Sequence, residues 1–91
     1  MAKQGFEKRF PARNSEAVKA LATNARRLRK LRGWSQDRLA SELNIEQNAV
    51  SLLENGRSNP TLIMIEAIAA AFGVPVTELL DTPSRARKTK R

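Results

Sequence analysis

The chain has 91 residues, 41% of them hydrophobic, a net charge of +8, and no cysteine, histidine or tyrosine. That length holds one domain with a modest core. The absent residue types remove disulfides, thiolate metal sites, the commonest general base and the phenol, so no enzyme, metal or cofactor is expected.

Residues 1–14 read as a flexible basic arm, punctuated by Gly5 and Pro11. Its start, MAKQGFEKRF, lacks the apolar run of a signal peptide. The domain proper is placed at 15–83. Ser15 is a good N-cap and Glu16 suits a first turn. Val18, Leu21, Ala25, Leu28 and Leu31 or Arg32 recur at three and four, which predicts a helix over about 16–32 that Gly33 stops. Ser35 caps a short second helix, about 36–43, with Trp34 and Leu39 at hydrophobic-staple spacing and Leu39, Ala40 and Leu43 facing in. Asn44 suits a left-handed turn residue.

Ile45 then points inward, and a third helix runs over about 46–55. Its apolar face is Ala49, Val50 and Leu53; its other face is Gln47, Asn48, Ser51 and Leu52. Asn55-Gly56 ends it. Thr61 caps a fourth helix, about 62–72, with Leu62, Ile65, Ile68, Ala69 and Phe72 inward, and Gly73 stops it. Pro75 opens a fifth, about 76–81, carrying Val76, Leu79 and Leu80. No period-two pattern appears, so the domain is expected to be all-α with five helices. The longest apolar-rich stretch, 62–76, is broken by Glu66 and falls short of the roughly 20 residues a bilayer span needs, so a soluble, cytoplasmic, nucleoid-associated protein without membrane contact is expected.

The charge is unevenly placed. Residues 1–14 carry a net +3 and the tail 84–91, SRARKTKR, a net +5; residues 15–83 sum to zero. Within that neutral part, 15–38 is net +5 and 39–83 net −5. A basic end can orient a domain on a polyanion, and the basic tails can add affinity without sequence preference.

Two short helices joined by a tight turn form a helix-turn-helix. The stretch WSQDRLASELNIEQNAVSLLENGRSNP, Trp34 to Pro60, closely resembles the DNA-binding domains of the Cro and phage-repressor family, the XRE-like group. The match rests on Ser35-Gln36, Leu39-Ala40, Asn44-Ile45, Val50, Glu54-Asn55-Gly56 and Pro60, with FGVPVTELL resembling the family's fifth helix. Asn44 departs from the usual glycine, and Glu46 from the usual Ser or Thr cap.

The resemblance implies a lambda-repressor-like fold and a prokaryotic or phage transcriptional regulator, expected to be a repressor, that binds a palindromic operator in double-stranded DNA as a homodimer. It implies base contacts from Gln47, Asn48, Ser51 and Leu52, since amides can pair bidentately with adenine and an apolar side chain can cover a thymine methyl. It implies phosphate contacts from Gln36, Asn55 and Arg57, and a structural ion pair between Arg29 and Glu54. A dimer needs a self-complementary apolar patch, and Ile63, Met64, Ala67, Val76 and Leu80 are the expected interface. Phe6 and Phe10 are the alternative cover for that patch within one chain. Antitoxins, which have a toxin as protein partner, and restriction-modification controllers share the fold. A protein–protein adaptor of the same fold is the competing class, against which the amides of the third helix argue.

Overall fold

The structure, a computed structural model, describes residues 2–82. In chain order it contains α1 (Ala2–Arg9), a 3-10 turn (Ala12–Asn14), α2 (Glu16–Leu31), α3 (Gln36–Leu43), α4 (Gln47–Glu54), α5 (Leu62–Phe72) and α6 (Val76–Leu80). The all-α expectation holds, with one helix more than the five expected. The extra one is α1, in the segment read as a flexible arm. Its Ala, Lys, Gln, Glu and Arg are strong helix formers, and Lys8 and Arg9 sit in the last turn, where the dipole favours cations. Together they outweigh the roughly 1 kcal/mol that Gly5 costs inside a helix. Phe10, restricted by the following Pro11, ends the helix. The tail 84–91 lies outside the described residues.

The remaining boundaries follow local chemistry. Ser15 Oγ accepts from the Val18 amide at 3.1 Å, Ser35 Oγ from Arg38 at 3.0 Å and Thr61 Oγ1 from Met64 at 3.1 Å, so three helix starts are capped by their own hydroxyls. Glu46, at the N-cap of α4, makes no such bond. Asn44 adopts φ 56° and ψ 46°, the one non-glycine positive φ among the described residues. Its amide donates to Ser41 O at 3.2 Å and the Ile45 amide to Ala40 O at 3.0 Å, which closes α3 and turns the chain into α4. Asn44→Ala should therefore cost about 1–2 kcal/mol in urea unfolding, while Asn44→Gly should stay within about half of that. Equal losses from both would place the effect in the side chain rather than the backbone.

The core joins five helices: Leu21, Ala25 and Leu28 of α2, Leu39 and Ala40 of α3, Val50 and Leu53 of α4, Ile65, Ile68, Ala69 and Phe72 of α5, and Leu79 of α6. Trp34 stacks on Phe72 with centroids 5.6 Å apart, fastening the start of α3 to the end of α5. Three residues expected inside are exposed. Leu31 is the last residue of α2 and Leu62 the first of α5, where the helical period continues but the neighbouring helices do not; they are 69% and 74% exposed. Ala49 is turned about 100° from the buried Val50 and falls on the open side of α4.

Asn24 was not anticipated as a core residue. Its Nδ2 donates to Leu79 O at 2.8 Å and Asp81 O at 2.9 Å, satisfying two carbonyls at the end of α6. The buried amide ties α2 to the C-terminus of the domain.

Candidate nucleic-acid interface

The α3–turn–α4 unit presents one open helix face. On α4, Gln47, Asn48, Ala49, Leu52 and Asn55 are exposed and Ser51 is half-buried, while Val50, Leu53 and Glu54 hold the helix to the domain. The amides of Gln47 and Asn48 lie in the first turn and Ser51 and Leu52 one turn on. Asn55 caps the helix end, and Arg57 stands exposed in the loop that follows, its own amide donating to Leu52 O at 2.9 Å. The residues read from sequence as base and phosphate contacts thus lie on this face and at its two ends.

Beneath that face runs a hydrogen-bonded chain of side chains. Arg29 Nε donates to Glu54 Oε2 at 2.6 Å and Arg29 Nη2 to Glu54 Oε1 at 3.0 Å, a two-pronged pair. The two side chains are only 11% and 2% exposed. Arg29 Nη1 also donates to Trp34 O at 2.7 Å, reaching the residue just before α3. Glu54 Oε1 accepts a further bond from Gln36 Nε2 at 3.1 Å, and Gln36 Oε1 accepts from Gln47 Nε2 at 2.5 Å. The path runs from α2, through the last turn of α4 and the first turn of α3, back to the first turn of α4. Gln47 keeps its carbonyl oxygen and a second N–H for an outside partner.

From the sequence, Gln36 is expected at a phosphate and Gln47 at a base, with no link between them. The structure pairs them, through an 11-residue separation that no local pattern displays.

The basic segment 15–38 is less free than its charge implies. Arg29 is buried in the pair with Glu54. Arg27 faces Glu78 at 3.8 Å, and Arg38 bonds Glu42 at 3.0 Å while lying 4.8 Å from the Trp34 ring centroid. Arg32 donates to Phe72 O and sits over its ring. Four of the seven cations of that segment thus hold helices together or are already partnered. Lys19, Arg26 and Lys30 remain exposed, with no ion pair among the described residues.

The expected dimer patch divides in two. Ile63 is 77% exposed and Ala67 is also exposed. Met64, Val76 and Leu80 are half-buried and pack against the core, so they turn further inward than the sequence reading placed them. Phe6 and Phe10 are 60% and 59% exposed and do not cover this patch within the chain. Among the described residues no cluster of His, Cys, Asp or Glu has metal-holding geometry, and no helix is long and apolar enough to cross a membrane.

Known proteins are similar to this chain in sequence and in fold. A hypothetical transcription factor of Neisseria meningitidis is 41% identical over 68 residues, covering 75% of this chain and 64% of the relative. A crystal structure of a Neisseria hypothetical transcription factor superposes with a TM-score of 0.75 at 38% identity, over 82% of this chain and 88% of that one. The restriction-modification controller protein C.AhdI of Aeromonas hydrophila superposes with a TM-score of 0.64 at 29% identity, over 68% of this chain and 94% of its own. The helix-turn-helix family profile matches residues 26–79, a span that contains the whole Arg29–Glu54–Gln36–Gln47 path. On that match, and on the turn geometry at Asn44, the chain belongs to the helix-turn-helix family of XRE type.

Proposed function

We propose that the protein is a sequence-specific regulator of transcription that binds double-stranded DNA and represses from a palindromic operator as a homodimer. The observation that carries this reading is the open first turn of α4, where Asn48 is exposed and Gln47 is held at its outer edge by Gln36. In this reading α4 lies in the major groove with that turn at the base edges. Gln47 and Asn48 address adenines through paired donor and acceptor groups, and Leu52 covers a thymine methyl beside them. Gln36, Asn55 and Arg57 address the phosphates on either side. A homodimer with α5 near its two-fold axis would set two such helices one turn of DNA apart, about 34 Å. The relatives named as transcription factors and as a restriction-modification controller support a regulatory role; a controller of a restriction system would use the same DNA chemistry.

Selection of bound duplexes from a random pool tests the reading directly. The expected product is an inverted repeat. On that site, Gln47→Ala and Asn48→Ala should each lose about 1–3 kcal/mol of discrimination at one base-pair position, with little change in melting temperature. Arg57→Ala should weaken all sequences alike and flatten the salt dependence by about one unit of slope. A pool that enriches no motif, or amide variants that lose equally on specific and random DNA, would reject base reading by α4.

A further inference from the structure

A cleft of about 370 Å³ lies between α1 and the start of α2. Phe6, Phe10, Pro11, Ala12 and Val18 give it apolar walls, and Asn59 closes one side. The two phenylalanine rings lie against each other, centroids 5.0 Å apart, yet each is more than half exposed. Three and four residues beyond Asn59 come Leu62 and Ile63, the two most exposed large apolar side chains described, at 74% and 77%. A lining residue of the hollow and the protruding pair are therefore only three and four residues apart along one chain. A two-fold axis passing between them sets each protrusion opposite the other copy's hollow, which is what a self-complementary interface requires.

Charge points the same way. Arg9 lines the cleft, stacks 5.5 Å from the Phe10 centroid and makes no ion pair among the described residues. Glu66, one turn along α5 from Leu62 and Ile63, is exposed and also unpaired among the described residues. Residues 62–82 hold three acids and no base, whereas 2–9 hold three bases and one acid. Area argues for it as well. A stable interface covers about 800 Å² per partner. Ile63 and Ala67 fall short of that, since Met64, Val76 and Leu80 are already half-buried. Two phenylalanines add about 150–250 Å² each when fully covered.

We infer that the cleft beside α1 receives Leu62 and Ile63 of a second copy of this chain, so that each N-terminal helix clasps the partner's α5. The inference rests on the homodimer reading and adds the α1 clasp to it.

The chain has no cysteine, so paired labels are clean. Phe10→Cys protein is mixed with Ile63→Cys protein under mild oxidation, and the products are read by mass spectrometry. The expected product is a 10–63 disulfide between two different chains. In sedimentation, Phe6→Ser with Phe10→Ser should raise the dimer dissociation constant about a hundredfold while leaving helix content unchanged. Three results would overturn the clasp. A doubly substituted Phe10→Cys, Ile63→Cys chain that closes a disulfide within itself would mean that α1 covers its own α5. A wild-type dimer that survives the Phe6 and Phe10 substitutions and gives no 10–63 product would leave the homodimer standing without the clasp. Wild-type protein that sediments as a monomer at tens of micromolar, roughly where a weak interface still forms, would remove both.

Discussion

Glu54→Ala should lower the free energy of unfolding by about 3–5 kcal/mol, because it leaves the Arg29 guanidinium buried without its counter-charge. The Glu54 side chain is 2% exposed and accepts bonds from Arg29 Nε, Arg29 Nη2 and Gln36 Nε2. A domain of this size has a total stability of about 5–15 kcal/mol, so the variant should lose a large share of it. Replacing both charges with apolar groups, as Arg29→Met with Glu54→Leu, should recover most of the loss, because the costly species is the lone charge rather than the missing pair. Denaturant unfolding of the three proteins separates these cases. If Glu54→Ala lost under about 1 kcal/mol, the pair would be worth no more than an exposed ion pair. In the DNA-binding reading the double variant is also informative: it should fold, yet discriminate less at the base pair facing Gln47, because Gln36 has lost its anchor.

Phe72→Ala should cost about 3–5 kcal/mol through the cavity it opens. Phe72 is 1% exposed, and three features of the fold converge on it. Its ring stacks on Trp34, the Arg32 guanidinium lies over it, and its carbonyl accepts from Arg32. The loss should therefore loosen the start of α3 as well as the core. Trp34 is the only tryptophan in the chain, so its fluorescence reports this directly. A red-shifted native spectrum together with a lowered unfolding midpoint is the expected pair of results. Ile63→Ala, on the opposite side of the same helix, should stay within about 0.5 kcal/mol when the protein is dilute. Equal losses from the two substitutions would contradict the packing described for α5.

Most of the helix boundaries were legible in the sequence because caps are local. Ser15, Ser35 and Thr61 act on amides three residues away, and Gly33, Gly56 and Gly73 take the positive φ that ends a helix. Asn44 could be read as a turn residue for the same reason. What periodicity alone could not supply was where the neighbours stop. Leu31 and Leu62 continue the apolar period of their helices past the last packing partner, so they read as core and are surface. Residues 2–9 are helical although Gly5 and Pro11 signal an arm, because six good helix formers surround Gly5. Long-range polar contacts were the least legible. Asn24 meets carbonyls 55 and 57 residues away, and Gln36 meets Gln47 and Glu54 across two helices. The family resemblance supplied Arg29 with Glu54; the amide between them and Gln47 needed coordinates.

The bond from Gln47 to Gln36 bears on how transferable this helix surface is. A glutamine free to sample its rotamers gives up as much as about 1.5–2 kcal/mol when it is fixed. Gln47 is already restrained when the domain folds, before any duplex arrives. Grafting residues 47–52 onto a relative that lacks a glutamine at the place of Gln36 would carry over the letters of the surface without their posture. The transplanted side chain would be loose and, in the DNA-binding reading, its preference among base pairs blurred. In that reading, redesign has a smallest unit larger than α4: position 47 has to be changed together with position 36, as one word rather than two letters.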